Sequence, residues 1–309
     1  MFNIGKILVL SGLICCLAGI VRAAEVNTIE QFYNREGSLK AVMVRYPAHD
    51  RKLKMFTVAY PEITPGSTAK YPMVVFCNGT LMPVRNYQGV LRYLATWGFI
   101  AVGSEENYSG SGAGTIALLK FMQQLDADKN SVLYNRIDWQ NIGIAGHSQG
   151  GVAAFNTVTR YPEGALFKAV FTMSCCRRSL AAAWPMSAPY DPSKVKVPVM
   201  MTASANPKGM DDPGGKLSAM GIAPLQSMQE NRMLLRKNSP CVVIGRISSD
   251  KCNHANTFGE SLPYLTAWFV YHLQNNSAAG KFFTGKNPEL LRNPRWQDVF
   301  IDWNQPAAR

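Results

Sequence analysis

The sequence predicts an α/β protein in which a mostly parallel central sheet is covered by helices on both faces. Three observations carry that prediction. From residue 71 onward, short apolar runs alternate with stretches of helical spacing. The runs are apolar throughout rather than at every second residue, as strands buried on both faces are. Glycine and asparagine stand at several of the joints, where chains turn.

Taken in order, residues 42–58 read as antiparallel strands ahead of the main array. Residues 73–77 form a β-branched run closed by Asn78-Gly79, and 87–96 carry helical spacing through Val90, Leu91 and Leu94 up to Gly98. A strand over 99–102 and a Gly-rich stretch at 109–114 lead into a helix over 116–125. A buried strand at 141–145 passes at once through a turn into a helix at 149–161. Further strands are predicted at 169–173, 197–203 and 242–247, and an aromatic helix at 261–273. The excursion 174–196 is short for a separately folded cap, so no large cap domain is expected and the site should open to solvent.

The joint after the strand at 141–145 reads Gly146-His147-Ser148-Gln149-Gly150. A G-x-S-x-G turn between strand and helix is a nucleophile elbow, which exposes a serine hydroxyl near the positive end of the helix that follows. Glycines are needed at either side because strand and helix approach too closely there for side chains. Ser148 is thus the candidate nucleophile, and a serine hydroxyl needs an adjacent base.

The chain has only four histidines, which allows elimination. His147 lies within the elbow and should point away from the serine. His49 precedes the parallel array. His272 sits in the last turn of a helix, where surface exposure or charge complementarity accounts for it. His254 remains, in a polar loop after the strand at 242–247, where a base would face the elbow.

Acyl transfer also needs donors for an oxyanion. The backbone N–H groups of Thr80, after the strand at 73–77, and of Gln149, after the nucleophile, are the candidates. The acid that orients His254 is expected after the strand at 197–203. Asn206-Pro207 occupies the nearest place, so the loop must curl back to present Asp211, or else Asp212. Glu105, Glu106 and Asp250 remain as outside alternatives, whereas Asp191 precedes its strand and should lie at the opposite edge of the sheet.

From about residue 72 to 268 the chain resembles the lidless α/β-hydrolases that include bacterial cutinases and polyester hydrolases. More distantly it is similar to chlorophyllase-like and dienelactone-hydrolase-like enzymes. The resemblance is carried by Val74-Val75-Phe76-Cys77-Asn78-Gly79, by Leu94-Ala95-Thr96-Trp97-Gly98-Phe99-Ile100-Ala101-Val102, and by residues 142–151 around the elbow. It implies the α/β-hydrolase fold, with Thr80 and Gln149 as the oxyanion donors. Polyester hydrolases carry an aromatic where Thr80 stands, a methionine where Gln149 stands, and a tryptophan close after the strand at 169–173. Here Cys175 and Cys176 fill that last place, and Trp184, further on, is the candidate substrate-binding aromatic. These departures weigh against a polymer substrate and leave ester cleavage untouched.

The 309 residues, 47% hydrophobic and 17% charged, suit one globular catalytic domain, expected over 24–309. Ahead of it, residues 1–6 are basic, 7–20 apolar and too short for a comfortable span, and 21–23 small enough for cleavage. This reads as a signal peptide over 1–23 and predicts export, to the periplasm or beyond, with no stable membrane span after cleavage. The remaining chain would hold 30 basic against 20 acidic residues, a balance of +10. Its Lys and Arg are scattered singly without a nucleic-acid motif, so no nucleic-acid partner is expected. Five cysteines would remain, and Cys252 could staple the loop of His254 to Cys241, or else to Cys175 or Cys176. Their spacing is not that of a zinc site.

The reading is an exported serine hydrolase with an ester substrate and no cofactor or metal. The alternatives are an acyltransferase or amidase built on the same residues, or a hydrolase fold that only binds.

Overall fold

The computed structural model describes residues 28–215 and 220–304. The predicted signal segment, residues 1–23, lies outside the described residues. Nine strands form one sheet: β1 (Ala41–Pro47), β2 (Met55–Pro61), β3 (Tyr71–Cys77), β4 (Ile100–Ser104), β5 (Ile137–His147), β6 (Phe167–Met173), β7 (Val199–Ser204), β8 (Cys241–Ile247) and β9 (Trp296–Trp303), counted among the described residues. Their order is β1-β2-β4-β3-β5-β6-β7-β8-β9. The six strands β3 to β8 run parallel, whereas β1, β2 and β9 are antiparallel to their neighbours.

The unbroken apolar runs have the cause inferred for them. Along β3, Met73, Val75 and Cys77 enter one core layer while Val74 and Phe76 enter the other. The first layer is closed by the helices Ala113–Ala127 and Gln149–Arg160, through residues such as Leu119, Met122 and Phe155. The second is closed by Gln88–Thr96 and Leu262–Leu273, through Leu91, Leu94, Trp268 and Phe269. Gly143 on β5 fits this packing tightly, since a Cβ there would stand 2.4 Å from the Phe269 ring.

Every predicted strand and helix of the parallel array is present, with ends displaced by a few residues. Several elements had no counterpart in the sequence reading, among them a helix at Leu225–Leu235 and the strand β9. The helix Leu225–Leu235 is largely polar and lacks a clear apolar stripe. In β9 the alternation is broken where the register shifts against β8, near Asp298, whose φ is 53°. Among the described residues, no helix is long and apolar enough to cross a membrane.

The Cys252 staple is not formed: the five cysteines from Cys77 to Cys252 are all free and buried. Cys241 opens β8 whereas Cys252 lies beyond its far end, and seven residues of strand span roughly 20 Å. Burial also pushes the Cys252 thiol up to about 12, which keeps it protonated and unreactive.

Candidate active site

Parallel strands deliver loops to their carboxyl ends, and five such loops build the site: those after β3, β5, β6, β7 and β8. Ser148 follows β5 directly and sits at φ 56°, ψ −120°, a conformation rare for a residue with a Cβ. Its N–H is held by the Met173 carbonyl at 2.8 Å. The flanking glycines have the role the motif assigns them. A Cβ on Gly146 would lie 2.0 Å from the Gly150 carbonyl oxygen, and one on Gly150 would lie 2.0 Å from that of Cys77.

His254 Nε2 stands 3.0 Å from Ser148 Oγ, and its Nδ1 stands 2.6 Å from Asp211 Oδ1. With a carboxylate on that side, Nδ1 carries the hydrogen and Nε2 is free to accept from the serine hydroxyl. Asp211 is fully buried, and its Oδ2 accepts from Ser174 Oγ at 2.6 Å and from the Ser204 N–H at 2.9 Å. Its loop does curl back, tied by Ile222 N–H to Met210 O (2.8 Å) and Ala223 N–H to Asp211 O (3.1 Å). The loop of His254 is tied in turn to β7, since Ser204 Oγ donates to the Cys252 carbonyl at 2.8 Å.

The other carboxylates are engaged elsewhere. Asp212 is buried against the Arg246 guanidinium of β8, which also holds Asp298 of β9 at 2.6 Å. Glu105 pairs with Arg85 at 2.5 Å and with Arg45 at 3.5 Å. Glu106 is buried beside Ser104, and burial raises its carboxyl to about 7. Asp191 caps a short turn through Ser193, and Asp250 is exposed. Arg246, a cation almost wholly enclosed, was not singled out from sequence, because its partners Asp212 and Asp298 lie 34 and 52 positions away.

In the loop after β3, the amides around Thr80 are occupied. Gly79 N–H donates to Tyr87 OH (3.1 Å), Leu81 N–H to Asn107 O (2.8 Å) and Met82 N–H to Gly79 O (3.1 Å). The Thr80 N–H takes no partner among the described residues. Gln149 opens its helix, where the first amides lack a carbonyl one turn back. Both residues border the same cavity as Ser148 and His254.

That cavity holds about 300 Å³. Its far wall is apolar, made by Met82, Leu180, Ala181, Trp184, Met210 and Ile222, with Cys176 at its floor 3.7 Å from Ser148 Oγ. Trp184 is 47% exposed and forms part of the rim. Among the described residues no separate cap is present, yet the site is less open than the sequence suggested. Residues 174–196 carry the helix Arg178–Ala183 along one side, and Ser148 keeps only 6% of its surface. Among the described residues, no group of three or more His, Cys, Asp and Glu is placed to hold a metal ion.

Of the excluded histidines, His272 differs from expectation and His147 makes contacts that were not expected. His272 is not a charged surface group at a helix end. Its ring packs 4.2 Å from that of Trp268, and burial holds its pKa down to about 3. His147 does point away from Ser148 Oγ, but it is enclosed, with Nδ1 2.8 Å from Tyr87 OH and Nε2 2.7 Å from the His254 carbonyl. No signal in the pentapeptide marks the second of these contacts, which joins residues 107 positions apart.

Compared with known proteins, residues 37–173 match the model of the Chlorophyllase family, a family of hydrolases with the α/β fold. The match supports the chlorophyllase-like side of the resemblance. It includes the loop of Thr80 and the elbow of Ser148 and stops short of Asp211 and His254, covering less than half of the chain. No curated protein matches the chain significantly. With its strand order, parallel core and covering helices, the chain has the α/β-hydrolase fold.

Proposed function

We propose that the protein is an exported serine hydrolase that cleaves carboxylic esters through an acyl-enzyme. The observation that carries this reading is the line from Ser148 Oγ through His254 to Asp211, with contacts of 3.0 and 2.6 Å. In the first step Ser148 Oγ attacks the ester carbonyl while His254 Nε2 takes its proton. Asp211 holds the ring with Nδ1–H inward and offsets the charge of the imidazolium. The oxyanion is met by the amides of Thr80 and Gln149. His254 then returns the proton to the leaving alcohol, and a water activated by the same nitrogen hydrolyses the acyl-enzyme. These steps are complete with the chain's own groups.

The cavity supports a small apolar acyl group. At about 300 Å³ it lies at the lower end of ligand pockets, and among the described residues no lysine or arginine lines it. Short uncharged esters are therefore the proposed substrates.

Substitution of Ser148→Ala tests the reading. Hydrolysis of p-nitrophenyl esters should fall on the order of 10⁴-fold, and labelling by an organophosphonate should disappear, with the melting temperature retained. Activity within about tenfold of the unmodified enzyme would overturn it.

A further inference from the structure

We propose that Tyr87 and His147 are positioning residues that lock the loop bearing Thr80 to the loop bearing His254, through a hydrogen-bond chain of fixed direction. The inference rests on the serine hydrolase reading above and adds to it a device that sets the spacing between oxyanion donor and base.

The direction follows from the partners. The His254 carbonyl only accepts, so His147 Nε2, 2.7 Å away, carries a hydrogen and donates it. The ring is wholly buried, and that burial holds its pKa down to about 3, so it is neutral and its Nδ1 bears a lone pair. Tyr87 OH, at 2.8 Å, must then donate to Nδ1, which leaves its oxygen to accept the Gly79 N–H at 3.1 Å. The chain runs Gly79 N–H to Tyr87 OH to His147 to His254 C=O, without a break and without a charge.

Packing holds this chain in register. A Cβ added to Gly79 would lie 3.0 Å from both His147 Nδ1 and Tyr87 OH, so the loop rests directly on the pair. The His147 ring stands 5.0 Å from that of His254, and Phe258 closes the third side, 4.8 Å from Tyr87 and 5.4 Å from His147. One end of the chain is adjacent in sequence to the Thr80 amide, and the other is the backbone of the base itself. A shift at either end moves donor and base relative to the ester carbonyl, and misplacement by about 1 Å can cost on the order of a hundredfold in rate.

The test uses the whole enzyme with Tyr87→Phe, His147→Leu, the double variant, and His147→Gln, whose amide can still donate toward the His254 carbonyl. Each is checked for melting temperature. We expect Tyr87→Phe and His147→Leu each to lower kcat about tenfold to a hundredfold with KM within about threefold. The double variant should be no worse than the poorer single one, because both break one chain. His147→Gln should recover part of the loss. Multiplicative losses in the double variant, or lowered melting temperature with kcat unchanged, would overturn the proposal. A readout independent of turnover is the imidazole ¹⁵N spectrum. His147 should remain neutral with its hydrogen on Nε2 from pH 8 to 5, and a titration there, or hydrogen on Nδ1, overturns the proposed direction whatever the activity. Loss of the serine hydrolase reading shows separately, as a Ser148→Ala enzyme that still turns over.

Discussion

The two adjacent aspartates illustrate how far one residue's role is set by what faces it. Asp211 has two donors and a histidine beside it, whereas Asp212 is turned the other way, onto Arg246. Asp211→Asn should therefore lower kcat by about 10⁴-fold while leaving KM and fold nearly unchanged, since the amide favours the wrong tautomer of His254. Steady-state kinetics check this, and a loss under about tenfold would remove Asp211 from the proposed mechanism. Ser148 and His254 were legible because a motif marks one and a count of four histidines isolates the other. The carboxylate facing His254 was narrowed to two neighbours ahead of the outside alternatives, and no further. What separates them is the Ser174 hydroxyl and the Ser204 amide, which come from the ends of β6 and β7 and leave no trace in the local sequence. The same limit hid the inner contacts of His147.

At the scale of elements, the loop after β7 has no regular structure of its own and depends on its attachments. Its buried anchor is the Arg246 cluster, which joins that loop to β8 and β9. Arg246→Met should lower stability by roughly 3–5 kcal/mol, because buried Asp212 then loses the cation that accompanied it into the interior and half-buried Asp298 loses it as well. Urea unfolding measures this, and a change under about 1 kcal/mol would mean that the carboxylates find other partners or water. The parallel strands were readable because burial on both faces imposes an unbroken apolar run. β9 was not, since its register shift interrupts the alternation, and the helix Leu225–Leu235 offers little apolar pattern to detect. The wall made by Arg178–Ala183 carries a further expectation. Ala181→Phe would fill the acyl side of the cavity, so the preference among p-nitrophenyl esters should move toward acetate, with the loss largest for the longest chain accepted. An unchanged chain-length profile would place the acyl group elsewhere.

For the whole molecule, His147, His272 and Glu106 contribute to how stability depends on pH, and they act in opposite senses. His147 and His272 have pKa values held down to about 3 from 6.5, so the unfolded chain takes up their protons first. Their contribution is complete above pH 6.5 and is lost as pH falls toward 3. Glu106 is raised from 4.5 to about 7, so the unfolded chain releases its proton first, and stability declines as pH rises across that interval. Replacing Glu106 by Gln should remove the second effect alone. The melting temperature of Glu106→Gln relative to the unmodified protein should climb between pH 4.5 and 7.5, and a constant difference would show that the carboxyl titrates normally. The chain's ends add a consequence for folding in time. The first described helix, Thr28–Tyr33, has the N–H groups of Ile29 and Glu30 capped by the carboxylate of Glu289 at 3.2 and 3.1 Å, and Glu30 is held by Asn293 and Arg295. A ribosome has to translate some 260 further residues before that cap exists. Until then the segment next to the predicted export signal rests on Tyr93 and Trp97 without its cap, which leaves the nascent chain only partly latched at the end a secretion machine would engage first, and a chain released before Glu289 should lose that segment to protease more readily than the whole one.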